Sequence, residues 1–307
     1  MKTSLLYGIL KPAVKKLVKN GTHKEESYED FVRTSYEIQA KFQFKLPHKK
    51  GYEFRDEIID GCHCIVGHKT GSNTKRALVY LVGGGERRWQ LPTCKTMVRY
   101  INETDRDLWI PLYPLYPDHD FLDEVEMICD THERMLKDYD AKDIAWLGFS
   151  AGADLIMSAG RHIIQKGNIL PMPGLMIPVS CCNLYLSEES YARMEEIEKR
   201  DIMMYARSMK TFQDFYNHEN KLPHYLCGCA AEDDYTGFPK IIMYFGGDEI
   251  FAGDAPDYEK AFIRCNVKDY TIRVEPGLFH AYPMFTFIKE GKRGEDEIIQ
   301  HLKQKVL

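Results

Sequence analysis

Apolar residues along this 307-residue chain recur with two different periods, and the period switches repeatedly. Short runs that alternate with polar residues, or are apolar throughout, fall at 52–59, 62–68, 76–82, 107–112, 144–147, 175–180, 240–245 and 270–274, each of strand length. Segments of helical period lie at 92–102, 120–136, 257–265 and 283–303. The Asp60-Gly61 pair between the first two runs predicts a tight antiparallel hairpin. From residue 76 onward, strands alternate with helices, which predicts an α/β fold with a mostly parallel central sheet and helices on both faces.

Two regions depart from that alternation. Residues 28–42 have helical period with Phe31, Ser35 and Ile38 on one side, and before them Leu6, Leu10, Val14, Leu17 and Val18 recur at helical spacing among Lys11, Lys15, Lys16 and Lys19. They predict an N-terminal helical segment over residues 1–45. The stretch 183–238 is too long for a simple crossover and contains helical segments at 190–208 and 209–216. It is expected to be a cap or lid inserted into one domain spanning 1–307, because neither an internal repeat nor a low-complexity linker divides the chain.

Composition narrows the chemistry. A hydrophobic fraction of 44% with 28% charged residues is ordinary for a globular protein, and a net charge of −5 provides no footprint for nucleic acid. No run approaches the ~18 apolar residues of a membrane span, and residues 5–10 are too short for a signal-peptide core, so neither membrane insertion nor export is expected. The nine cysteines include Cys62-His63-Cys64, Cys181-Cys182 and Cys227-Gly228-Cys229, none with C-x-x-C spacing. They read as free thiols in a reducing, cytoplasmic setting, with no metal site.

The chemistry-bearing stretch is Gly148-Phe149-Ser150-Ala151-Gly152, at the junction of the 144–147 strand with a helix starting at Ala151. A serine raised on a sharp strand-to-helix turn needs almost no side chain two residues either side, and the following helix aims its first amides at an oxyanion. The pentapeptide arises by chance in roughly one chain in ten of this length, so the weight rests on its partners. A serine hydroxyl needs a base, and the base needs an acid to orient it. Asp248 follows the strand ending Tyr244-Phe245-Gly246-Gly247, and His280 follows the strand ending Val274-Glu275; both sites lie where parallel sheets place ligand chemistry. Asp254, on the same loop, is a rival acid. Gly83-Gly84-Gly85, directly after an apolar strand, can bring backbone amides close to a ligand. Trp89, Met203, Met204, Tyr205, Phe212, Phe215 and Tyr282 could line a pocket, although such a stripe is commonly core packing.

In order, Val82-Gly83-Gly84-Gly85, Tyr113-Pro114-Leu115-Tyr116-Pro117-Asp118-His119, the serine pentapeptide, Asp248-Glu249-Ile250-Phe251 and Gly277-Leu278-Phe279-His280 resemble the motifs of hormone-sensitive-lipase-like esterases, including bacterial acetyl-esterase/lipase proteins. The resemblance covers most of the chain from about Ala77 onward. It implies an α/β-hydrolase fold, with Ser150 as nucleophile, His280 as general base and acid, Asp248 as its orienter, and the amides of Gly84, Gly85 and Ala151 as the oxyanion hole. It also implies that residues 1–45 and 183–238 cover the site, and it admits a homodimer. The implied substrate is a small, short-acyl ester, with no cofactor. An amidase or peptidase using the same three residues is the alternative in the same class, and a non-catalytic binding protein on the same scaffold is the alternative outside it. Departures are Val82 where the family has histidine, Phe149 and Ala153 in the pentapeptide region, and Glu86-Arg87-Arg88 where an apolar residue is frequent. They predict a glycine loop that is held differently, or an unusually polar pocket.

Overall fold

Runs that are apolar at every position become the middle of the sheet, because both faces there are covered by helices. The computed structural model describes residues 4–18, 27–181, 183–219 and 221–304. Lys19 and Cys182 lie outside the described residues, as do the side chains of Leu6, Leu10, Leu17 and Val18. Strands β1 (Tyr52–Ile59), β2 (Cys62–Lys69), β3 (Ala77–Leu81), β4 (Asp107–Pro111), β5 (Ile144–Phe149), β6 (Leu175–Val179), β7 (Lys240–Gly246) and β8 (Tyr270–Glu275) form one sheet in the order β1-β2-β4-β3-β5-β6-β7-β8. The β1–β2 and β2–β4 pairings are antiparallel and all others parallel. Asp60 and Gly61, with φ of 45° and 76°, close the first hairpin as expected for a two-residue turn. β3, β5 and β6 are buried throughout, whereas edge strands β1 and β8 mix half-buried and exposed positions, apart from buried Ile59 at the end of β1.

Alternate residues of the central strands feed two separate cores. Trp109, Ile144, Trp146 and Met243 pack with helices α4 (Phe121–Met135), α5 (Ala151–Gln165) and α8 (Ala255–Arg264). Leu108, Ala145, Leu147 and Tyr244 pack with α3 (Cys94–Thr104) and α9 (Lys289–Lys303) on the other face. Helix starts follow their side-chain caps. Asp120 forms a capping box with Asp123 ahead of α4, and Thr93 accepts from the Thr96 amide, starting α3 two residues later than the hydrophobic pattern suggests.

Two expected helices are broken. The stretch 190–208 divides into α6 (Glu188–Glu198) and α7 (Ala206–Tyr216). Buried Asp201 accepts from the Met203 and Met204 amides at 2.7 and 3.0 Å, and Glu198 accepts from the Ala206 amide at 2.8 Å, so side-chain bonds replace the helical ladder between them. The stretch 283–303 begins instead with a single tight turn at Tyr282–Met284, and α9 starts only at Lys289, after buried Ile288 has packed with Phe279 and Tyr282.

The N-terminal helices α1 (Leu5–Val18) and α2 (Tyr28–Gln39) lean on loops that follow the C-terminal ends of the parallel strands. The Tyr7 hydroxyl donates to Gly277 O at 2.7 Å, and its ring stacks on Phe279 at 5.6 Å. From the loop after β3, Arg87 donates to Phe31 O and Ser35 Oγ of α2 at 3.1 and 2.8 Å, its guanidinium lying 4.0 Å over the Phe31 ring. Phe31 packs in turn against Phe212, Phe215 and Tyr216 of α7.

Candidate active site

Ser150 directly follows β5 with φ 55° and ψ −128°, a conformation that non-glycine residues avoid and that the surroundings must hold. Its amide donates to Val179 O at 2.9 Å, and its carbonyl accepts from the Ala153 amide at 2.7 Å as α5 begins. The flanking glycines are required by contact: a Cβ on Gly148 would overlap the Gly152 carbonyl oxygen, and one on Gly152 would sit 2.8 Å from Leu81 O.

The structure brings Ser150 and His280 together. His280 Nε2 lies 2.8 Å from Ser150 Oγ, while its Nδ1 lies 2.6 Å from Glu249 Oε2. The acid expected at Asp248 is therefore one residue off: Glu249 is the carboxylate that reaches the imidazole. Asp248 points to other partners, accepting from Lys11 Nζ at 2.5 Å and Arg200 Nε at 3.1 Å. Asp254 does not reach His280 either. It accepts from Ser190 Oγ at 2.9 Å and from the Asn183 amide at 3.4 Å, and burial pushes its carboxyl up to about 7.

Glu249 is fully buried and surrounded by donors. Its Oε1 accepts from the Gly246 amide at 2.6 Å and from Ser180 Oγ at 2.8 Å, and Ser180 Oγ accepts from the Ala281 amide at 2.8 Å. A carboxylate can only accept from Nδ1, so Nδ1 carries the imidazole hydrogen and Nε2 is left with its lone pair toward the serine hydroxyl. The Phe251 ring packs edge-on against His280 at 4.9 Å and restricts its rotation. Sequence reasoning missed both Glu249 and Ser180. The signal available for Glu249 was the adjacent acidic pair Asp248-Glu249, which does not reveal which member turns inward; for Ser180 there was none beyond its place at the end of β6.

The glycine loop backs directly onto the serine, since a Cβ on Gly83 would sit 2.6 Å from Ser150 Cβ and 2.9 Å from the Ala151 nitrogen. The amides of Gly84, Gly85 and Ala151 donate to no backbone carbonyl among the described residues. The loop is indeed held without a histidine at Val82. Tyr113 donates to Val82 O at 3.3 Å, Tyr216 donates to Gly85 O, and Gln39 reaches Arg87 O at 3.2 Å.

Behind the loop lies a group of neighbouring carboxyls whose charged forms burial disfavours. Burial, reinforced by Asp154, pushes Glu86 up to about 8, and burial takes Asp154 itself up to about 7. Glu124 on α4 rises well above the carboxylate range for the same reason, and neither of its oxygens finds a hydrogen-bond partner among the described residues. Burial thus favours the neutral form of these carboxyls more than it does for surface carboxyls, and Glu86 is the one of them that follows the glycines directly.

Among the described residues, no group of three or more His, Cys, Asp or Glu side chains could hold a metal ion, the described cysteines are free thiols, and no helix is long and apolar enough to cross a membrane.

Comparison with known proteins agrees with the fold. Residues 78–284 match the family model described as alpha/beta hydrolase fold. A curated esterase of Acinetobacter venetianus is 24% identical over 194 residues, a match spanning 61% of this chain and 61% of that esterase. Among solved structures, an esterase/lipase from an uncultured bacterium superposes with a TM-score of 0.78 at 19% identity, covering 98% of this chain and 99% of that one. An esterase from the bacterial hormone-sensitive lipase family superposes with a TM-score of 0.76 at 18% identity over the whole of both chains.

Proposed function

The chain belongs to the alpha/beta hydrolase fold family, and from that premise we propose that it is a serine carboxylesterase acting on small, short-acyl esters. The observation that carries this reading is the hydrogen-bonded series Ser150 Oγ, His280, Glu249, with separations of 2.8 and 2.6 Å. Ser150 Oγ attacks the ester carbonyl as its proton passes to His280 Nε2, and Glu249 stabilises the imidazolium that forms. The oxyanion is received by the amides of Gly84, Gly85 and Ala151; each such donor is typically worth about 3–4 kcal/mol in the transition state. The tetrahedral centre collapses by breaking the bond to the alcohol oxygen, which takes the proton from Nε2. Water then attacks the acyl-serine with His280 again as base, releasing the carboxylic acid and restoring Ser150.

A short acyl group suits the surroundings of the glycine loop, where Tyr216 bonds to Gly85 O and is backed by Phe31, Phe212 and Tyr116. The segments 1–45 and 183–238 act as the cover of this site. Free thiols fit a reducing compartment, and the cytoplasm is the location assigned here.

The test is a p-nitrophenyl ester series from acetate to octanoate, run on wild type and Ser150→Ala beside the matching anilides. Turnover is expected to be highest with the shortest esters, far slower with anilides, and lost in Ser150→Ala. Turnover that survives that substitution overturns the mechanism, and anilides cleaved as fast as esters would move the reaction to amide hydrolysis.

A further inference from the structure

Glu249 is held by its own carboxylate partners, but its two neighbours in the chain are held from outside the sheet. Asp248 is bound through its carboxylate by Lys11 of α1 at 2.5 Å and by Arg200, in the turn between α6 and α7, at 3.1 Å. On the other side of Glu249, the Ile250 amide donates to Asp201 Oδ2 at 2.7 Å. Consecutive residues 200 and 201 therefore grip residues 248 and 250, with the acid between them. Asp201 is fully buried, and its second oxygen accepts from Met203 and Met204, so the grip and the turn share one side chain.

The same elements reach the histidine. The Asp248 amide donates to Leu278 O at 2.8 Å, two residues before His280, and α1 fixes the same loop through Tyr7 on Gly277 O and Phe279. The hydrogen bonds and ion pairs of Lys11, Arg200 and Asp248 among the described residues go elsewhere than to Ser150, His280 or the Glu249 carboxylate, and the two Asp201 oxygens accept from the Met203, Met204 and Ile250 amides. Whatever they contribute passes through the position of the loop that carries Glu249.

We propose that Asp201 and Asp248 are positioning residues, forming with Arg200 and Lys11 a clamp that keeps Glu249 aimed at His280 only while α1 and the 199–205 turn are docked. The proposal rests on the esterase reading of the site and adds to it a dependence of the acid on the covering segments. If the cover lifts, the Asp248 carboxylate and the Ile250 amide lose their partners together. Among the described residues, the hydrogen bonds left to the Glu249 carboxylate are then those from Gly246, Ser180 and His280 itself.

The experiment measures kcat and KM for p-nitrophenyl acetate, per active site counted with a phosphonate that labels the nucleophile, in Asp201→Asn, Asp248→Asn and Lys11→Met, each alone and combined with Glu249→Gln. In Asp201→Asn an amide group must face either the Ile250 amide or those of Met203 and Met204, so the grip weakens without a change of shape. Each single variant is expected to lose roughly 10-fold in kcat, with KM within about 2-fold of wild type. In the Glu249→Gln background those losses are expected to vanish, because a clamp that acts through Glu249 has nothing left to position. A loss of the same size in both backgrounds, or no loss in either, overturns the proposal. If Asp201→Asn does not fold, the half-buried Lys11 supplies the same cycle. Turnover persisting in Ser150→Ala would instead remove the esterase reading, so the two failures are distinct.

Discussion

Replacing Glu249 by glutamine changes one oxygen to an amide nitrogen at nearly constant volume, and no placement of that nitrogen is tolerated. If it faces His280, it donates to Nδ1 across the present 2.6 Å contact, the imidazole hydrogen moves to Nε2, and Nε2 can no longer take the proton of Ser150 Oγ, 2.8 Å away. If it is turned the other way, it faces the Gly246 amide, a donor against a donor, where the carboxylate now accepts at 2.6 Å. Forcing the wrong tautomer in this way typically lowers kcat by about 10⁴, which corresponds to about 5.4 kcal/mol of transition-state stabilisation. Asp248→Asn leaves the imidazole partner in place and is expected to cost only about 10-fold, through the loop. The assay is p-nitrophenyl acetate turnover per titrated active site, with thermal melts to confirm that both variants fold. A Glu249→Gln enzyme within tenfold of wild type, beside an Asp248→Asn enzyme that is nearly inactive, would refute the assignment of the acid.

Further consequences concern the elbow, the glycine loop and the buried carboxyls. Gly148→Ala drives a methyl into the Gly152 carbonyl, which is backbone and cannot rotate away; urea melts should show a loss of about 1–3 kcal/mol, accompanied by a fall in kcat. Tyr216→Phe removes the donor to Gly85 O while keeping the ring against Phe31, and a decrease in kcat of about 3- to 10-fold is expected, with little change in Tm. Glu86 holds its proton more tightly when folded, with its carboxyl moved from 4.5 up to about 8 by burial and by Asp154. Its contribution to stability is therefore fully present below the ordinary carboxylate range, declines as pH rises from there toward about 8, and stays lost above it. Glu86→Gln should raise Tm over wild type at about pH 9 and leave it nearly unchanged at about pH 4; a difference independent of pH would contradict the shift.

The fold and half of the serine's surroundings are written in local pattern. Apolar runs place β3, β5, β6 and β7, and the Gly148 and Gly152 spacing marks the turn at Ser150, because in both cases the deciding contacts are short-range or periodic. The identity of the carboxylate at His280 is different in kind. Asp248 and Glu249 are neighbours of like charge, and the partners that separate them are mostly far away in sequence: Lys11 and Arg200 bind Asp248, while Ser180 and His280 bind Glu249. The broken helix at 199–205 combines both kinds of contact: Asp201 takes the Met203 and Met204 amides locally, while its other oxygen takes the Ile250 amide of the acid loop, a partner that no window around residue 201 contains. The departures at Val82 and Glu86 are visible as departures, yet their resolution needs Tyr113 and Tyr216 and a buried neighbourhood that raises the Glu86 carboxyl to about 8. Ser180, bridging Glu249 and the Ala281 amide, is a serine without a motif, and only the structure distinguishes it.

The central claim is that Ser150, activated through His280 and Glu249, forms a covalent acyl intermediate with an ester substrate. The most direct measurement is intact-mass and peptide mass spectrometry after treatment with a p-nitrophenyl alkylphosphonate, which is trapped by an activated serine at the tetrahedral stage. The account predicts one adduct per chain, on the peptide carrying Gly148-Phe149-Ser150-Ala151-Gly152, formed in step with loss of esterase activity, absent in Ser150→Ala and greatly slowed in Glu249→Gln. Stoichiometric labelling at another residue, with Ser150 unmodified and activity abolished, would contradict it.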